Sequence, residues 1–169
     1  MRSTHCLTMA ALIGGVYVVL CYFGNIFGLT FGTVQFRFAE ALTVLPFLCP
    51  SAAAGLFVGC ILANLLSPYG LLDLIVGSFA TLLAGWLTAR CKSRWQTVLP
   101  PTLVNALLVG AVITVQEVPF GSGFLPVYLY NAVSVGLGEL GVCLLLGLPL
   151  LSICEKHGLL KENRRNDKK

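Results

Sequence analysis

Apolar runs about twenty residues long recur along almost the whole chain, and they limit its fold more than any other feature. "LTMAALIGGVYVVLCYFGNIF", Leu7 to Phe27, holds no charged residue, and comparable runs continue as far as Ile153. A run of this length crosses the roughly 30 Å hydrocarbon core of a bilayer as one helix. With 57% hydrophobic and 11% charged residues, the 169-residue chain has too little polar surface to cover a soluble domain. An all-α integral membrane protein is expected, and soluble classes are excluded.

The first helix is expected over roughly Leu7 to Phe27, before the loop "GLTFGTVQFR". The stretch 38–66 carries Pro46 and Pro50, so it reads as one long kinked helix or as two short ones meeting at "CPSA". "SPYG" at 67–70 is a turn, because Pro and Gly break a helix there. Leu71 to Thr88 forms another span, and Leu103 to Val115 lies in the next. After the loop "EVPFGSGFLP" a last helix is expected over Val127 to Ile153.

Orientation follows from the basic residues. Most of the formal net charge of +4 comes from "ARCKSR" at 89–94 and the tail "EKHGLLKENRRNDKK" at 155–169. These read as basic segments beside a membrane, on its cytoplasmic side, and not as a nucleic-acid surface. Two spans separate them, so they share a side. If 38–66 is two helices, the chain has six transmembrane helices with both termini cytoplasmic; if it is one, the amino terminus lies outside. We prefer six, giving one transmembrane domain over 1–154 and a basic cytoplasmic tail over 155–169. The first run is too long for a signal-peptide core, and no small-residue cleavage site follows it.

In this topology the polar residues gather at the outer end. Gln35, Arg37 and Glu40 start the second helix, Asn64 ends the third and Asp73 starts the fourth. Gln116 and Glu117 close the fifth, Tyr128, Tyr130 and Asn131 open the sixth, and Asn105 and Glu139 lie deeper. A charge in hydrocarbon costs several kcal/mol unless it is paired or faces water, which makes each such residue a functional suspect. Arg37 and Glu40, three apart, share a helix face and form either a local ion pair or a pocket wall. Asp73 suits a helix amino terminus as well as a pocket, and Asn64 suits an interhelical hydrogen bond as well as a ligand contact. Glu139 is a ligand contact or a lock between helices. In "AALIGG" (10–15), Ala10 lies over Gly14, as in close helix packing, whether internal or to a separate membrane subunit.

Catalytic and cofactor signatures are missing from the sequence. It has no GxxxxGK[ST], HExxH or GxSxG motif, and His5 and His157 lie outside the spans. None of the seven cysteines forms a CxxC pair, and Cys21, Cys49, Cys60 and Cys143 sit in apolar runs as small hydrophobes. No enzymatic activity, cofactor or metal site is expected.

The blocks "VQFRFAEALTVLPF", "GLFVGCILANLLSPYGLLDLIVGSFATLLAG", "PTLVNALLVG" and "VGLGELGVCLLLGLPLL" resemble the QueT-type queuosine-precursor transporter family. Members of that family are membrane-embedded substrate-binding subunits (S components) of energy-coupling factor transporters. The resemblance implies an S-component-like bundle of six helices in the cell membrane. Its cargo would be queuine or the 7-cyano or 7-aminomethyl form of 7-deazaguanine. Its partners, besides lipid, would be a transmembrane coupling subunit and two ATPases that hydrolyse ATP. The family's AxxxA-like motif corresponds to Ala10 and Gly14, with glycine in place of the second alanine. The expected substrate-binding residues are Gln35, Arg37, Glu40, Asn64, Asp73, Tyr128, Asn131 and Glu139, of which the resemblance supports Arg37, Glu40, Asn64 and Glu139 as matching motif positions. Glu40 is the first choice to accept the guanine-like edge and Asp73 the second, while Tyr128 offers a stacking face. An S component for another vitamin-like solute, or a self-sufficient proton-coupled transporter with Glu139 as carrier, are the rival expectations.

Overall fold

The computed structural model describes residues 2–28, 36–65, 67–121, 123–158 and 160, and among them it is entirely helical. Six helices follow one another: α1 (Arg2–Ile26), α2 (Phe38–Phe47), α3 (Ala52–Asn64), α4 (Gly70–Thr88), α5 (Arg94–Glu117) and α6 (Phe124–Lys156). Four are long and apolar enough to cross a membrane: α1 from Cys6 onward, α4, α5 and α6. The stretch 38–66 is therefore two short helices, broken at Pro50 as one of the two sequence readings has it.

Two boundaries differ from expectation, both in α6. α5 contains Leu103 to Val115 as expected and starts at Arg94, where Gln96 Oε1 accepts the Lys92 and Ser93 amides (3.1 and 3.2 Å) and caps its opening turn. Pro100 and Pro101 then continue the helix close to its start, where proline costs little. α6 starts at Phe124, where the Phe120, Phe124 and Tyr128 rings stack along its first turns. It ends at Lys156, so the first residues of the expected tail are helical.

Close approaches give the helix directions. Asn64 at the end of α3 and Arg37 just before α2 both reach Asp73 in α4, while Pro46 and Ala53 meet Gly85 at the other end. α2 and α3 are thus an antiparallel hairpin against α4. Ala10, Gly14 and Tyr17 meet Gly55 and Gly59, and the Tyr22 hydroxyl donates to the Leu62 carbonyl (3.2 Å), so α1 runs parallel to α3. Gly136 meets Ala106 and Gly110 meets Ala132, so α5 and α6 are antiparallel.

α2 touches all five other helices. Its turns are of the 3-10 type, which rarely persists for ten residues, and here three residues per turn split it into three ridges. Ala39, Leu42 and Leu45 enter an apolar cluster with Ile13, Tyr17 and Leu56. Val44 and Phe47 enter a second, with Cys143, Leu148 and Leu151. The third ridge is Arg37, Glu40 and Thr43, all buried. Packing on every side is what holds this unusual helix together.

Candidate functional site

The polar ridge of α2 meets polar side chains from three other helices, α1, α4 and α6. Arg37 Nη2 lies 3.2 Å from Asp73 Oδ2, and both residues are buried. Arg37 therefore takes its carboxylate from α4 and not from Glu40 one turn away. Ser67 Oγ donates to the same Asp73 oxygen at 2.6 Å, and Asn64 Nδ2 donates to the Asp73 backbone carbonyl at 3.0 Å. A π-turn over Asp73–Gly77 opens α4 beneath this group. Such turns recur at functional sites because the extra residue redirects a side chain.

Glu40 is about 1% exposed. Its Oε1 accepts the Tyr17 hydroxyl at 2.6 Å, from the middle of α1. No donor reaches Oε2, and a second buried carboxyl, Glu139, is carried by α6. Glu139 is held in turn by Asn105 Nδ2 on α5, 2.9 Å from its Oε1. Asp73 Oδ1 is likewise buried without a donor. Two carboxylate oxygens from different helices thus lie buried without a donor, in a protein interior where such atoms are normally satisfied. Both oxygens therefore have acceptor capacity that the described side chains do not use.

The other candidates lie differently. Asn131 Nδ2 donates to Thr114 Oγ1 (3.1 Å) and Glu117 Oε2 (2.8 Å), tying α6 to α5. Tyr128 donates to the Leu107 carbonyl (3.3 Å) and stacks on Phe124, so it takes no part in the group around Asp73. The Gln116 amide caps the Tyr69 carbonyl at the start of α4. Gln35 lies outside the described residues. Ala10 and Gly14 pack on α3 and also line an outer groove of about 430 Å³ between α1 and α3, beside the exposed Ala11, Gly15 and Val58. At the opposite end from Asp73, Arg94 pairs with Glu155 at 3.1 Å.

The description "QueT transporter" belongs to a family model that matches residues 7–156, which include every candidate residue above. The chain belongs to the QueT transporter family. It is also 29% identical over 80 residues to the "Queuosine precursor transporter QueT" of Lactococcus lactis subsp. cremoris (strain MG1363). That alignment covers 47% of this chain and 47% of the relative, so the chain matches about half the relative's length. No solved structure matches.

Sequence reasoning missed three residues of this QueT-family site. Tyr17 gave a signal: it continues the face of Ala10 and Gly14 and is a phenol at mid-span. Ser67 looked like part of a turn. Gly77 gave none, yet a Cβ there would stand 2.7 Å from Asp73 Oδ1 and 3.0 Å from Asn64 Nδ2. Gly77→Ala is expected to push the two apart and to cost about 1–3 kcal/mol, read as a lower melting temperature of the detergent-solubilised protein. An unchanged melting temperature would show that the site has room to spare.

Proposed function

We propose that this QueT-family chain is the substrate-binding membrane subunit of an energy-coupling factor importer and captures a queuosine precursor. One observation carries the reading: Glu40 Oε2 and Asp73 Oδ1 are buried without a donor, on the side of the bundle away from the Arg94–Glu155 pair. A 7-deazaguanine offers N1–H and an exocyclic amine, donors of the kind these oxygens lack. The relative's name and the family assignment support the same cargo.

Six spans with both termini cytoplasmic fit the alternating directions of the helices. At about 2.0 Å per residue the ten residues of α2 extend roughly 20 Å, and the thirteen of α3 at about 1.5 Å do the same. Both fall short of a roughly 30 Å core, which would set Arg37, Asn64 and Ser67 below the outer headgroups. In the cell membrane, the groove lined by Ala10 and Gly14 serves the transmembrane coupling subunit, since small residues let another helix approach closely. ATP hydrolysis belongs to two ATPase subunits attached to that partner.

The test is calorimetry on detergent-solubilised protein with queuine, 7-cyano- and 7-aminomethyl-7-deazaguanine, guanine and riboflavin. Tight binding of a deazapurine is expected, weakened at least about tenfold by Glu40→Gln, which removes a charge-assisted acceptor. Folded protein that binds riboflavin, or none of the five, would sink the queuosine reading.

A further inference from the structure

A second outer groove, of about 460 Å³, runs between α3 and α4. Pro50, Ala53 and Ala54 line one side of it, and Phe79, Leu83 and Trp86, which share one face of α4, line the other. Its walls differ from those of the α1–α3 groove, which is lined largely by alanine and glycine and so admits another helix. Here the α4 wall is built of large side chains, with Phe79 60% and Trp86 48% exposed. Rings standing that far out keep a second backbone at a distance, whereas a single hydrocarbon chain can lie between them. From Phe79 to Trp86 the groove runs about 10 Å along the helix axis, against about 15 Å for one leaflet's half of the hydrocarbon core.

One end of this groove carries a cation. Arg90 follows Trp86 by one turn, where α4 closes with the Arg90 amide donating to the Leu87 carbonyl (3.0 Å). Its guanidinium carbon lies 3.4 Å over the Trp86 ring. Stacking occupies a face of the guanidinium and leaves the N–H groups along its edge able to donate. Among the described residues no carboxylate pairs with Arg90 or with the nearby Lys92, and Glu155 at this end of the bundle is taken by Arg94. An apolar trough that ends in a stacked, unneutralised guanidinium matches the two parts of an anionic phospholipid.

We propose that the α3–α4 groove binds an anionic phospholipid, with one acyl chain against Phe79 and Leu83 and the phosphate accepting from Arg90 above Trp86. The lipid belongs to the leaflet beside the basic segments. A zwitterionic lipid lays the same chain in the groove but brings no net charge to Arg90.

The sequence supplies its own reporter, because its two tryptophans are Trp86 and Trp95. Trp95 is 68% exposed at the start of α5 and lies outside the groove. Trp95→Phe therefore leaves Trp86 as the sole tryptophan in the full chain, reconstituted into phosphatidylcholine vesicles. Brominated phosphatidylglycerol is expected to quench Trp86 with a relative affinity about fivefold above that of brominated phosphatidylcholine, the effect of one basic residue on an anionic lipid. With Arg90→Gln added, the ratio should fall below about twofold. Equal quenching by the two lipids with Arg90 in place overturns the proposal, and is the result if the groove is kept for a helix of another membrane subunit. A fivefold preference that survives Arg90→Gln overturns the placing of the headgroup. Trp86→Phe, read at Trp95, separates a site from general attraction to the basic loop: an equally strong preference there overturns the site as well.

Discussion

Arg37→Met is expected to destabilise the detergent-solubilised chain by about 3–5 kcal/mol, the usual cost of stripping a buried charge of its partner. Asp73 is completely buried, and without Arg37 its side chain keeps only the Ser67 hydroxyl at 2.6 Å. Two further buried carboxyls lie nearby with no other cation among the described buried residues. The loss is thus felt by a group of acids and not by one. Chemical unfolding in micelles, followed by circular dichroism, measures it. Arg37→Met combined with Asp73→Leu should recover most of the stability, since an apolar pair of similar volume often replaces a buried ion pair at little cost. The recovered protein should still fail to bind. A single variant within about 1 kcal/mol of wild type would mean that water already reaches Asp73.

The second large effect is expected at Gly55. A Cβ there would stand 2.1 Å from the Ala10 carbonyl oxygen and 2.9 Å from its Cα. Backbone faces backbone at this point, so no side chain can swing aside. Gly14 and Gly59 make the same contact at neighbouring turns, with distances of 2.6 and 2.7 Å to the facing carbonyl. Helix association in a bilayer depends on such packing, because lipid tails are as apolar as the helices. Gly55→Leu should separate α1 from α3 at a cost above about 3 kcal/mol, and it would carry Tyr17 away from Glu40. Loss of the folded fraction on size-exclusion chromatography, with rapid proteolysis, is the expected result. A wild-type profile would refute the close α1–α3 contact.

What the sequence revealed depended on the range of the interaction. The long helices were legible because hydropathy is summed over some twenty neighbours, and Pro50 marked the break between α2 and α3. The gathering of Arg37, Asn64 and Asp73 at one end followed from charge placement and alternating spans. The pairing within that group did not. Arg37 and Glu40 are adjacent on one ridge, yet Arg37 binds Asp73, 36 residues away, because α4 presents that carboxylate from across the interface. Glu40 turns instead to Tyr17 on α1. Partner choice of this kind is set by which helix packs where, and periodicity carries no trace of it. The start of α6 was misread for a more local reason: Pro126 looks like the end of a loop, but it lies in the helix's first turn, where proline is tolerated.

The three-ridged form of α2 has a consequence for how its length can vary. With three residues per turn, inserting or deleting one residue rotates everything beyond it by about 120°, which swings a whole ridge into its neighbour's place. Arg37 and Glu40 would then face an apolar cluster, and leucines would face Asp73. Adding or removing three residues restores the pattern and only changes the reach by about 6 Å. A library of length variants across residues 38–47 should therefore yield folded members only in multiples of three, as though this helix kept a reading frame of its own.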